Sequence, residues 1–95
     1  MQSLTLADFS EWLQSPFPVR AGEQKVTLTL IEATKGVGGL PGGREPFSLL
    51  FRGPSSPRLS QGTFEFEHPR HGPLAIFIVP VGAEPNGMLY EAISS

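Results

Sequence analysis

Apolar residues recur along this chain with two periods, first that of a helix and then that of a strand. Leu6, Phe9 and Leu13 fall at helical spacing, which puts them on one face. Thr5 can cap that helix, Asp8 three residues on can answer as a shortened capping box, and Leu4 and Phe9 occupy the two positions of a hydrophobic staple. Pro16 forces Ser15 out of helical conformation, so the pattern predicts a helix over about 6–14. So short a helix is marginal alone and must dock, with Trp12 on the docking surface or its rim.

From Phe17 onward the period is two. Phe17 and Val19 alternate in a short strand, Ala21-Gly22-Glu23 turns the chain, and Val26, Leu28 and Leu30 alternate with Lys25, Thr27 and Thr29. Phe47, Leu49 and Phe51 form a further inward row, followed by Phe64 and Phe66 between Thr63, Glu65 and Glu67. Leu74 to Val79 is apolar throughout, the signature of a central strand covered on both faces, here by the helix or by a partner. Pro85-Asn86-Gly87 leads into a last strand, Met88 to Ile93. The expected core is Phe9, Leu28, Leu30, Phe47, Leu49, Phe51, Phe64, Phe66, Ile76, Phe77, Ile78 and Val79. The fold expected is mainly β, an antiparallel five- or six-stranded barrel or rolled sandwich with one short N-terminal helix closing an end or covering a face. An open α+β sheet with the helix packed across it is the alternative.

Length and composition restrict this picture further. Ninety-five residues suit one domain, taken as 1–95, and 11 Gly with 10 Pro imply many turns and few long helices. Two long connections hold much of that excess, Thr34 to Pro46 with five glycines and Gly53 to Gly62 with three serines. They read as surface loops, a common seat of function. Nine carboxylates against seven basic groups, with no run of either sign, argue against a nucleic-acid or anionic-membrane surface. No cysteine is present, which removes disulfides, thiol catalysis and thiolate metal ligands. The opening residues lack a basic segment followed by an apolar stretch, and no window approaches the ~18 apolar residues of a membrane span, so a cytoplasmic location is expected.

Candidate chemistry is sparse. In GVGGLPGGRE, Gly38 and Gly43 have the interval of a phosphate loop, but Arg44-Glu45 stand where Lys-Ser or Lys-Thr belongs, and Pro41 takes the place of the third glycine of a dinucleotide fingerprint. These glycines read as loop punctuation. His68 and His71, with Glu65 and Glu67 nearby, are the one group resembling metal ligands or acid/base residues. Strand alternation puts both glutamates on one face and His68 on the other, with Pro69 turning the chain towards His71. Neither histidine has an orienting carboxylate in sequence, and no nucleophile elbow exists. No catalytic residue, no cofactor and no metal are therefore expected. Arg44, Arg52 and Arg58 fall within a stretch whose one acid is Glu45, and could serve an acidic partner or an anion.

The stretches PGGREPFSLLFRGP, QGTFEFEHPRHGPLAIFIVPVG and YEAI, together with the Leu4 to Leu13 opening, resemble a family of small bacterial single-domain proteins. The resemblance covers almost the whole chain. It implies no activity and no catalytic residues to carry over. It does imply a genomic neighbourhood of proteins similar to phage tail-collar or tail-fibre components. The function expected is a non-enzymatic protein-interaction or assembly module, accessory to a tail-fibre-like protein or binding a second copy of itself. Leu40, Arg44, Arg52 and Arg58 would line its contact region, and an edge strand would offer a second route. The alternative is a small-ligand-binding or catalytic domain with its site near His68 and His71 or the arginines.

Overall fold

A computed structural model describes residues 4–36 and 46–94. Helix α1 spans Leu6–Ser10, and six strands follow: β1 Pro16–Ala21, β2 Gln24–Lys35, β3 Phe47–Gly53, β4 Gly62–His68, β5 Gly72–Glu84 and β6 Gly87–Ser94. They form a closed antiparallel barrel in the order β1-β2-β3-β6-β5-β4. This order consists of two three-stranded meanders, β1-β2-β3 and β4-β5-β6, joined along two seams. One seam is long, with β3 paired to β6 from Phe47↔Ser94 through Gly53↔Met88. The other is short, with Val19↔Phe66 and Arg20↔Glu65 as its registered pairs. Proline explains where the short ladder stops, because Pro16 and Pro18 have no N–H to donate.

Local chemistry sets the turns. Gly22-Glu23 closes the β1–β2 hairpin between Ala21 and Gln24, with Gly22 at φ +64°, and Pro85-Asn86 closes β5–β6 between Glu84 and Gly87. At Gly87 a side chain is excluded twice over. Its φ is +153°, and a Cβ there would run into the carbonyl oxygen of Gly53 on β3. Bulges interrupt the register between Leu30 and Glu32 on β2 and between Pro80 and Gly82 on β5.

The barrel interior is filled by Phe17, Val19, Val26, Leu28, Leu30, Phe47, Leu49, Phe51, Phe66, Ile76, Ile78, Tyr90 and Ala92, all buried. Each end is plugged differently. At one end Leu4, just before the helix cap, and Phe9 of α1 are buried, and the Phe9 ring lies 5.7 Å from Phe47. At the other end the 54–61 connection buries Leu59, whose backbone N–H donates to the Tyr90 hydroxyl at 2.8 Å. That bond satisfies the hydroxyl of the largest buried side chain.

Helix α1 starts as the sequence predicts. The N–H of Thr5 donates to Asp8 Oδ2 at 2.9 Å, and the N–H of Asp8 donates to Thr5 Oγ1 at 3.3 Å. It is shorter than the predicted 6–14. After Ser10 the chain tightens into turns, in which the N–H of Trp12 donates to the Phe9 carbonyl and that of Ser15 to the Trp12 carbonyl. Gln14 then takes φ +67°, and its N–H leaves the helix to donate to the Leu30 carbonyl of β2 at 2.7 Å.

Three expected core residues fall elsewhere. Phe77 is exposed, and Phe64 and Val79 are only half-buried. A five-residue helix sitting at one end of the barrel, packed against β2, cannot also cover the outer face of β5, so half of that apolar strand faces outward. Barrel closure corrects a second expectation: β1 pairs on both sides and β6 lies between β3 and β5, so neither the first nor the last strand is a free edge.

Candidate functional site

Two regions of the barrel stand out, one for exposed apolar residues and one for clustered rings. The first is the outer wall of β5 and β6. Phe77 is 49 % exposed, Val81 at the β5 bulge 51 % and Ile93 on β6 68 %. Between and beside them lie half-buried apolar side chains. Val79 is opposite Glu91, Leu50 of β3 is opposite Glu91 on its other side, and Leu89 is opposite Arg52. Alternation produces this wall, because Ile76, Ile78, Tyr90, Ala92, Leu49 and Phe51 take the inward positions of the same strands. Of its charged residues, Arg52 has an ionic partner, while Glu91, between Val79 and Leu50, is hydrogen-bonded by a hydroxyl and keeps its charge. Arg52 Nε is paired with a carboxylate oxygen of Glu84, and Ser48 Oγ donates to Glu91 Oε2 at 3.4 Å.

The opposite wall, over β1, β2 and β4, has a different chemistry. Arg20 Nε lies 3.5 Å from Glu65 Oε2, and Lys25 Nζ lies 3.0 Å from Glu67 Oε2. The second contact is one of charge rather than a well-directed hydrogen bond, since the buried Oε2 accepts none. Both glutamates singled out beside the histidines are thus outward-facing partners of basic residues. They take no part in an acid/base group with His68.

The second region is a cluster of rings at the α1 end of the short seam. Trp12 lies 4.2 Å from His68 and 5.3 Å from His71 by ring centroids, the two imidazoles are 4.9 Å apart, and Phe17 lies 6.0 Å from His68. Phe17 and His68 stand on β1 and β4 just where their ladder has ended. The turn 69–71 between β4 and β5 places the histidines together. His68 Nδ1 accepts from the backbone N–H of Arg70 at 3.1 Å and of His71 at 3.2 Å, and Gly72 takes φ +72° to return the chain to β5. With Nδ1 accepting twice, the ring proton resides on Nε2. A metal would need that Nε2 lone pair, so this geometry works against His68 as a ligand. The pKa of His68 is lowered from its ordinary value by partial burial first, then by His71 and then by Arg70.

The predicted contact residues divide as follows. Leu40 and Arg44 lie outside the described residues. Arg52 borders the apolar wall of β5 and β6. Arg58 sits in the 54–61 connection, exposed, with Nε donating to the Ser55 carbonyl at 3.3 Å, so Arg52 and Arg58 have separate local partners. Sequence reasoning singled out the two histidines but read their spacing against cooperation, and it missed Trp12 as their neighbour. The available signal was the shared inward phase of Phe17 and His68 at the end where the helix must dock.

Among the described residues no group of three or more His, Cys, Asp or Glu could hold a metal ion, and no helix is long and apolar enough to cross a membrane. The chain belongs to the family defined as Domain of unknown function (DUF6916), whose model matches residues 4–94. No curated protein and no solved structure matches it.

Proposed function

We propose that this chain is a non-enzymatic protein-interaction module that docks through the outer wall of β5 and β6, with a second copy of itself as occupant. The observation that carries this reading is the exposure of Phe77, Val81 and Ile93 on one wall of a barrel whose interior is already full. Contiguous apolar surface rimmed by polar residues is the usual mark of a protein contact. Self-docking follows from the apolar character of the wall: Arg52 is already paired with Glu84 and so is not offered to an acidic partner, while a two-fold axis can set Phe77, Val81 and Ile93 against the same residues of a second copy. Closure of the barrel removes strand addition at its first and last strands as a competing route.

Sedimentation across concentration tests this reading. The wild-type chain is expected to dimerise, and Phe77→Glu or Val81→Glu to hold it monomeric with an unchanged circular dichroism spectrum. If the wild type remains monomeric and co-purifies with the encoded neighbour, and Phe77→Glu abolishes that capture, the module serves a tail-fibre-like partner through the same wall. Monomers that capture no neighbour overturn the proposal. In the same preparation, Zn²⁺, nucleotides and sugar phosphates at millimolar concentration are expected to leave the melting temperature where it was, since only a ligand of the folded state raises it.

A further inference from the structure

Outside the docking wall, the ring cluster at the short seam brings together an aromatic contact, a titratable group and a weakly paired strand boundary. Beyond Val19↔Phe66 towards the α1 end, β1 and β4 have no registered backbone pair, and Trp12, Phe17 and His68 stand at that point. The side chains do there what the ladder cannot. His68 is held in place by the two amides that donate to its Nδ1. A protonated imidazole has donors at both nitrogens and no acceptor, so charging His68 sets an N–H against two N–H groups. Uncharged rings, Trp12 and Phe17, face it from the α1 end and from β1, while its own turn contributes His71 and Arg70, which both disfavour positive charge. The adjacent carboxylate, Glu67, is turned to the outer wall and engaged with Lys25. Against these stands the Trp12 ring, 4.2 Å away, whose face attracts a cation, so release requires that the two N–H groups at Nδ1, with His71 and Arg70, outweigh that attraction.

The geometry points to the Trp12–His68 contact as a pH-operated latch on the β1–β4 seam, shut when His68 is neutral and released when it is protonated. The sign follows from linkage. The closed state holds His68 below its ordinary value of 6.5, so the open state binds the proton more readily. Closure is therefore fully favoured above the ordinary value and is lost as pH falls from there through the closed-state value. Each unit separating the two values corresponds to a ten-fold change in the opening equilibrium.

Trp12, the single tryptophan, reports on the contact directly. Its emission should change as pH is lowered from about 8 to about 5, with a midpoint below 6.5, across the range in which histidine is the titrating side chain. Over the same step, amide exchange at Val19, Arg20, Glu65 and Phe66, corrected for intrinsic rate, should lose protection while Leu49, Phe51 and Tyr90 keep theirs. His68→Asn retains a side-chain acceptor for the turn amides but cannot titrate, and should flatten both responses. His71→Asn should leave a transition in place. The proposal is overturned if wild-type emission and seam protection stay constant across this range, if the transition survives in His68→Asn, or if all strands lose protection together. Should His68→Asn fail to fold, the ring resonances of His68 in the wild type decide the matter: their titration must coincide with loss of seam protection.

Discussion

The two seams that join the meanders reach closure by different means. Along β3–β6 the backbone is paired continuously from Phe47 to Gly53, and inside it lie Phe47, Leu49, Phe51, Tyr90 and Ala92. Along β1–β4 the registered pairs are Val19↔Phe66 and Arg20↔Glu65, and a cluster of rings continues where the ladder ends. The outer surfaces differ in the same sense. The side with the long ladder exposes apolar residues at its border with β5, and the side with the short ladder carries cross-strand ion pairs. Where backbone pairing is complete, apolar residues stand at outward positions that the barrel does not use. Where it is incomplete, side chains are committed to holding the barrel together.

Substitutions can break or sharpen this contrast. The largest effect is expected for Phe66→Ala, which empties the interior beneath the short seam and should lower stability by about 3 to 5 kcal/mol in chemical denaturation. Trp12→Ala should cost less, about 2 kcal/mol, because Trp12 is half-buried, and it should raise amide exchange at Val19 and Phe66 more than at Leu49. On the long-ladder side, Gly87→Ala should cost on the order of 1 to 3 kcal/mol through backbone strain at φ +153° and the approach to Gly53, read as a fall in Tm with the β1–β4 amides still protected. Phe77→Ser, on the outer wall, should change folding stability by no more than ~0.5 kcal/mol while abolishing self-association in sedimentation. The smallest effect is expected for Arg20→Ala. Its contact with Glu65 is solvent-exposed on both sides, and such pairs contribute about 0 to 1 kcal/mol, so the denaturation midpoint should barely move.

Period-two alternation made most of the barrel legible. Phe47, Leu49, Phe51, Phe66, Ile76 and Ile78 are inward, as their spacing requires, and Thr5 with Asp8 forms the predicted cap. The over-apolar run from Leu74 to Val79 was legible as unusual, but its outer half is bare because the helix ends at Ser10. Beyond that stop the backbone of Gln14 bonds to Leu30, a long-range tie that no local pattern carries. Phe17 and Val19 were read as a strand, yet their place in the core depends on closure against β4, which sequence could not decide between a barrel and an open sheet. Tyr90 and Leu59 were missed for a similar reason, since their hydrogen bond joins residues from a loop and from a strand in the far half of the chain. The ring cluster was half legible. His68 and His71 stood out by composition, whereas Trp12 reaches them only once the seam has formed.

The two-meander order also bears on the route by which the chain folds. Each meander is made of neighbours in sequence, so both can form early, whereas both seams must close long loops. The entropy lost in closing those loops varies only slowly with their length, so it is similar for the two, but the return is not. Docking β3 on β6 brings in a full ladder over Phe47–Gly53, and docking β1 on β4 brings in little beyond Val19↔Phe66 and Arg20↔Glu65. The transition state should therefore contain the first junction and lack the second. In a chevron analysis Leu49→Ala should act chiefly on the folding limb, and Trp12→Ala almost wholly on the unfolding limb, which makes the ring cluster a determinant of how long the closed barrel lasts rather than of how fast it is reached.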